Sequence, residues 1–366
     1  MRTAVVRMAW LLAVAAPVAL GACGSSSGGG ADSGHGPDGT QQADATDRTG
    51  VDADREITDV AQRADAMLSD RVGADTRAED GIDADVPGIP RPDAPLTPTL
   101  LASDLPASLE SLAFDGKGFL FGGTSDGRVV RVAPDGTSTV YADLLPVDAG
   151  VNPGTAGVTF GPDGSLYVCR FDASRIERVS MEDPSDVTVW RDDIETPNTI
   201  LFRDGDTLWY TSSGGHSGWK GHVGRIRSGQ APEVMVPNVT YANGLAFSPD
   251  GTTLYVTSSQ PGSVLRAAVL PDGSVEKPEV VADGPDFTVA DGLAVAWDGT
   301  VLVAGFGAGK IMALQGDVSW TLAADPAGAL LGVATLAFGA GPGFDASRVY
   351  ATNLLKPVVL QVGLPL

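Results

Sequence analysis

Four oxygen-bearing side chains recur at one phase of this 366-residue chain. Six apolar stretches lead into Phe114, Phe160, Phe202, Phe247, Val295 and Phe338. Four positions before each of these stand Glu110, Ala156, Asn198, Asn243, Asp291 and Ala334. Asparagine occurs only at positions 152, 198, 238, 243 and 353, and two of the five fall on this phase. Two carboxylates and two amide oxygens drawn to one centre are costly unless something pairs with them. A hard divalent cation removes that cost. Ligation by oxygen alone, without Cys or His, suits calcium first, with magnesium, manganese or zinc as alternatives. Asn and Asp also open turns at strand starts. That reading accounts for any one of the four, but poorly for the shared phase and the two alanines.

For the four to meet, the repeats must be arranged in a ring. The phase residues are spaced by about 42–48 positions, which is in the range of propeller blades. Each copy reads as an apolar strand, a turn containing glycine, a second apolar or aromatic strand, and a shorter third strand. Pro162-Asp163-Gly164, Pro249-Asp250-Gly251 and Asp298-Gly299 are hairpin turns, because Gly accepts positive φ and Asp bonds to its own backbone. Third strands are expected over Arg128–Val132, Arg175–Val179, Arg225–Arg227, Val264–Val269, Lys310–Leu314 and Val358–Val362. No long amphipathic helix separates the copies, which argues against a parallel α/β fold. The expected fold is all-β, a six-bladed β-propeller of four-stranded blades over residues 99–366. A strand near Thr97–Ala102 is expected to complete the last blade and close the ring.

The N-terminal part belongs to a different regime. Residues 1–22 carry Arg2 and Arg7, then the apolar run Met8–Leu20, then small residues, which is a signal-peptide layout. Leu20-Gly21-Ala22-Cys23 resembles a bacterial lipobox, so Cys23 is the expected lipidation site and the protein an exported lipoprotein, periplasmic or at the cell surface. Residues 23–98 are rich in Gly, Ser, Ala, Asp and Pro and read as a disordered tether. The net charge is −22 and no basic block is present, which excludes a nucleic-acid-binding surface. Membrane contact is expected through the lipid anchor only, and the propeller is expected to be a monomer. With Cys23 lipidated, Cys169 has no disulfide partner and reads as a small packed residue, not a nucleophile.

The stretch Asn243-Gly244-Leu245-Ala246-Phe247-Ser248-Pro249-Asp250-Gly251, followed by Thr253-Leu254-Tyr255-Val256, resembles a hallmark blade of the senescence marker protein/gluconolactonase/luciferin-regenerating-enzyme-like family. Asp291-Gly292-Leu293-Ala294-Val295 is similar to the next blade of that family, and Pro197-Asn198 to an earlier one. The resemblance runs from about residue 105 to the end. It implies a six-bladed propeller with one calcium or similar ion in its channel, and a small lactone or ester substrate. The implied ligands are Glu110, Asn243 and Asp291. Asn198 is implied as a ligand or a substrate contact, and Asp291 as general base. The chain departs from the family at Glu110-Ser111-Leu112, where Gly-Pro usually follows the glutamate, and at Thr199, where an acidic residue usually follows the asparagine. The first blade, with Ser125-Asp126-Gly127-Arg128, looks more like strictosidine synthase-like relatives.

His216, Trp219, Lys220 and His222 fall in a polar insertion after Leu208–Thr211. Such a loop either overhangs the channel mouth, making His216 and His222 substrate contacts, or is simply solvated. Gly305-Phe306-Gly307-Ala308-Gly309-Lys310 lacks the spacer and the Ser/Thr of a phosphate loop and reads as a turn in the fifth blade. The leading expectation is a divalent-metal-dependent hydrolase of a lactone or related ester. The competing one is a non-catalytic propeller at the cell surface that binds a sugar or protein, with a structural ion.

Overall fold

The computed structural model describes residues 88–215 and 220–365. The signal-peptide layout, Cys23 and the greater part of the expected tether lie outside the described residues.

The six repeats form six blades. The first is β2 (Leu109–Phe114), β3 (Leu120–Thr124), β4 (Arg128–Val132) and β5 (Ser138–Asp143), hydrogen-bonded in that order. The second is β6 (Val158–Phe160), β7 (Leu166–Arg170), β8 (Arg175–Val179) and β9 (Val187–Arg191). The third is β10 (Pro197–Arg203), β11 (Thr207–Ser212), β12 (Lys220–Ile226) and β13 (Glu233–Thr240). The fourth is β14 (Ala242–Phe247), β15 (Thr253–Ser258), β16 (Ser263–Ala268) and β17 (Glu279–Asp283). The fifth is β18 (Ala290–Val295), β19 (Val301–Gly305), β20 (Lys310–Gln315) and β21 (Val318–Ala324).

The sixth blade closes the ring. Its ladder is β22 (Arg348–Thr352), β23 (Val359–Gly363) and, from the far end of the chain, β1 (Thr99–Ala102) antiparallel to β23. The closing strand expected near Thr97–Ala102 is therefore present. The innermost stretch, Leu336-Ala337-Phe338, is irregular. It is held by the isolated bridge Phe338↔Val349 and by Ala337 N–H donating to the Tyr350 carbonyl at 3.2 Å.

The phase residues mark the seams between blades. Phe160 meets Phe121 of the preceding blade edge-on at 5.5 Å, Phe202 meets Tyr167 at 4.8 Å, and Phe247 meets Trp209 at 5.1 Å. Aliphatic residues fill the rest of each seam, such as Ala246, Val264, Leu293 and Met312 between the fourth and fifth blades. A blade is apolar on both faces, so only a neighbour on each side removes it from water.

Two boundaries differ from the sequence-based expectation. The third strand of the third blade starts at Lys220, five residues before the expected Arg225. Gly221 and Gly224 read as loop residues, yet they lie in the strand because their neighbours press on the backbone. A β-carbon on Gly221 would stand 2.4 Å from the Ser212 carbonyl oxygen, and one on Gly224 would stand 2.2 Å from the Tyr210 ring.

Residues 88–98 also lie against the propeller. Ile89 is buried in the cluster that holds Trp320 and Leu322, and its N–H donates to Asp298 Oδ2 at 2.8 Å. Leu96 N–H donates to the Leu322 carbonyl at 2.8 Å, and Ala324 N–H to the Leu96 carbonyl at 3.2 Å. The segment thus grips the fifth blade before β1 enters the sixth. A chain starting at Gly88 should melt above one starting at Thr97. Burying an Ile side chain is worth about 1.5–3 kcal/mol, and each kcal/mol moves the midpoint of a domain near this size by about 2–4 °C. Equal midpoints in scanning calorimetry would show that the strap is not part of the cooperative unit.

Candidate metal and catalytic site

Each acid or amide of the ring sits where its strand slips out of register. The pairing of β2 with β3 breaks between Leu109 and Ser111, around Glu110. The pairing of β10 with β11 breaks between Pro197 and Ile200, around Asn198. Those of β14 with β15 and β18 with β19 break between Ala242 and Leu245 and between Ala290 and Leu293, around Asn243 and Asp291. An irregularity of this kind re-aims a side chain and releases its backbone from the ladder.

The released carbonyls are taken up by the preceding blade. Thr211 Oγ1 donates to the Asn243 carbonyl at 2.6 Å, Thr257 Oγ1 to Asp291 at 2.5 Å, and Thr352 Oγ1 to Glu110 at 3.0 Å. Each hydroxyl also accepts a backbone N–H of its own blade, from Thr199 at 2.9 Å, Gly244 at 2.7 Å and Thr335 at 3.1 Å. The other three ring carbonyls use no such relay. Gly157 N–H reaches Asn198 at 2.6 Å and Gly292 N–H reaches Ala334 at 2.7 Å, while Ser111 Oγ donates to Ala156.

The three relayed residues are the ones that share a cavity. Glu110, Asn243 and Asp291 line a void at the centre of the ring together with Tyr241, Val289, Phe306 and Leu354. Its volume is about 10 Å³, room for one water or one ion. All three polar residues are buried, at 6–7% exposure.

The amide of Asn243 is oriented by its partner. Ser259 Oγ commits its proton to the Ala290 carbonyl at 2.6 Å, so towards Asn243 Nδ2, at 3.1 Å, it can only accept. The NH₂ group is fixed on the serine and Oδ1 remains as the acceptor. Asn198 is set in the same way. Ser213 Oγ donates to the Ala242 carbonyl at 2.9 Å and accepts from Asn198 Nδ2 at 3.3 Å.

Backbone strain follows the same phase. Two positions before Asn198, Asn243 and Asp291 stand Thr196, Tyr241 and Val289, with φ of 43°, 49° and 52°. Left-handed backbone costs about 1–3 kcal/mol at a non-Gly residue and is rarest for β-branched types. Tyr241 and Val289 are both cavity-lining residues, so the strained positions form part of the wall.

The structure brings Glu110, Asn243 and Asp291 together and leaves Asn198 outside the cavity lining. His216 lies outside the described residues. His222 is not in a loop but in β12, half-buried, with Nε2 3.4 Å from the Tyr210 hydroxyl. Burial pushes its pKa down, against the pull of nearby Glu195. Cys169 lies fully buried in β7, and burial, reinforced by the charge of Glu110, holds its thiol well above the usual range. That environment suppresses the thiolate, as expected for a packed residue. No group of three or more His, Cys, Asp and Glu gathers among the described residues, so the centre has two carboxylates with an amide as third donor.

The fold and centre define a class: a six-bladed propeller with an acidic cavity on its axis. Residues 212–345 match a family model described as the SMP-30/Gluconolactonase/LRE-like region. Asn243 and Asp291, which carried the resemblance, lie inside that stretch. A gluconolactonase from Xanthomonas campestris aligns with 74% of this chain and 90% of its own, at 21% identity and a TM-score of 0.59. Regucalcin, a calcium-binding protein from Agrobacterium tumefaciens, aligns with 74% of this chain and 94% of its own, at 17% identity and a TM-score of 0.57. A luciferin-regenerating enzyme aligns with 73% of this chain and 95% of its own, at 16% identity and a TM-score of 0.56. At these identities the likeness is one of fold. Comparison with curated proteins gives no match.

Proposed function

We propose that this protein hydrolyses a lactone or related ester, using one divalent cation held by Glu110, Asn243 and Asp291. The observation that carries the reading is the convergence of two carboxylates and one oriented amide oxygen on a cavity of about 10 Å³. Three oxygen donors with two negative charges fit a hard divalent ion, with water or substrate completing the shell. Calcium suits this set best, and magnesium and manganese are alternatives. The sequence match over residues 212–345 supports the same reading, as do the gluconolactonase and the calcium-binding regucalcin among proteins of the same fold.

When bound, such a cation polarises a substrate carbonyl and stabilises the oxyanion. The chain's own residues supply the rest. Glu110 and Asn243 hold donor oxygens in place. Asp291 takes a proton from water as the water oxygen bonds to the carbonyl carbon. The ring C–O bond then breaks, and the leaving alkoxide takes that proton back. Asn198, outside the cavity lining, is assigned to contact with the reacting lactone group and not to ligation or to the ring substituent. His222, in β12, packs on Tyr210 of β11 and is given no role.

One observation favours a second reading. At about 10 Å³ the cavity is close to the size of the ion alone, so an ion that only ties the blades together would also fill it. Assays of the purified protein against lactones and aryl esters, with and without chelator, separate the two. Chelator-sensitive hydrolysis is expected. Cation binding without turnover on any substrate would leave the ion structural. We further propose that the protein is exported and anchored through lipid on Cys23. The mass of the mature N-terminal peptide tests this directly, and an unmodified Cys23 would remove the anchor.

A further inference from the structure

We infer that the substrate carries an apolar substituent and is not a polyol lactone, an inference that rests on the hydrolase reading above. Apart from the three proposed ligands, the cavity is lined by Tyr241, Val289, Phe306 and Leu354, of which only Tyr241 carries a polar side-chain group. Tyr241 is backed by Phe171, itself buried at 1% exposure, whose ring stacks on it with centroids 6.4 Å apart and planes at 25°.

On the opposite side, three chain segments are bonded into one platform. Gly332 N–H donates to the Phe306 carbonyl at 3.1 Å, and Leu354 N–H donates to the Gly332 carbonyl at 2.9 Å. Asn353, fully buried, braces them. Its Nδ2 donates to the Leu331 carbonyl at 2.9 Å, and its Oδ1 accepts from Leu355 and Lys356 N–H at 2.8 and 3.1 Å. Leu331, one residue from this junction, is a large apolar side chain left 38% exposed. Leu355 packs directly over Gly332, where a β-carbon would stand 2.4 Å from Leu355 Cγ.

On this inference a substrate whose carbonyl reaches the centre lays its ring substituent along Leu331, Leu354 and Leu355, the side chains of this platform that are open to solvent. Hydroxyls placed there would lose water without gaining partners. Methylenes placed there leave water at a gain.

The test compares γ-valerolactone, γ-octalactone, γ-decalactone and glucono-δ-lactone as substrates of the cation-loaded protein. It also measures calorimetric binding of γ-decanolactam, which resists hydrolysis, and of gluconolactam. We expect kcat/KM to rise about threefold for each added methylene, and γ-decalactone to exceed glucono-δ-lactone by about 10²-fold. The alkyl lactam should bind more tightly than the polyol lactam. Leu331→Asn should flatten the dependence on chain length. Turnover of glucono-δ-lactone equal to or faster than that of γ-decalactone would overturn the apolar class and leave the hydrolase standing. Tight binding of the alkyl lactam with no lactone hydrolysed would overturn the hydrolase and leave the apolar ligand class standing. Neither hydrolysis nor lactam binding would overturn both.

Discussion

Asp291→Asn at saturating divalent cation should lower turnover by roughly 10²–10⁴-fold, the usual contribution of a positioned base. The substitution is nearly isosteric. It leaves the Asp291 backbone carbonyl on Thr257 Oγ1, so the irregular turn of β18 that aims the side chain is retained. One amide oxygen still faces the cation, so binding persists when the ion is supplied in excess. What the amide lacks is the capacity to take a proton from water near neutral pH. Turnover is therefore expected to fall further than occupancy. The measurement is kcat at a cation concentration shown by calorimetry to saturate each variant, because a lost ion would otherwise imitate a lost base. Wild-type kcat in the saturated variant would remove Asp291 as the base and leave the cation as the sole catalytic group.

Glu110→Gln should weaken cation binding by roughly 10²–10⁴-fold. Removing one partner of a buried charge pair costs about 3–5 kcal/mol, and 1.4 kcal/mol is tenfold in affinity. The wild type should bind one divalent ion per chain. At a hundredfold excess over Kd, the ion should add about 2.7 kcal/mol to stability and raise the melting midpoint accordingly. The threonine relays give this measurement a second arm. Thr257→Val keeps the shape of the side chain but removes the hydroxyl that joins Gly244 N–H to the Asp291 carbonyl. Groups that orient a ligand are worth about 10–100-fold in metal affinity, and Thr257→Ser should restore most of it. Thr155→Val is the control, since Thr155 Oγ1 donates to the Thr124 carbonyl at 3.2 Å and Thr155 is not among the residues that line the cavity. It should reduce stability and leave Kd unchanged. Calorimetry with calcium, magnesium and manganese reads all of these. A wild type that binds none of them would dispose of the centre as a metal site.

The ring of blades was legible because it is written in local terms. Period, turn chemistry and apolar phase each repeat six times, and Phe114, Phe160, Phe202, Phe247 and Phe338 recur because each seam needs a bulky knob. The shared phase of Glu110, Asn243 and Asp291 was legible for the same reason, since equivalent positions in a closed ring must face its axis. The groups that hold them were missed, although they left a trace. Thr211-Ser212-Ser213 and Thr257-Ser258-Ser259 are the same triplet at equivalent places in adjacent blades. Read within one strand, these are ordinary β-branched and small residues. Only the neighbouring blade reveals that the threonine hydroxyls serve the next ring residue and that Ser213 and Ser259 bond the residue before it.

What the sequence determined by itself was therefore the repeating part: an all-β chain of six like units, with oxygen donors on one phase of four of them. Tertiary structure decided which donors share a space. Asn198 has the same phase and the same serine partner as Asn243, yet it lies outside the cavity lining, which is drawn from the first, fourth, fifth and sixth blades. Tertiary structure also decided that Phe306, inside a glycine-rich turn, and Leu354, in a loop with no motif, complete that lining. The physical reason is that a repeat dictates backbone position, whereas a cavity is closed by side chains from blades far apart in the chain. Irregular registers and left-handed turns at Tyr241 and Val289 shape that wall, and no periodicity encodes either.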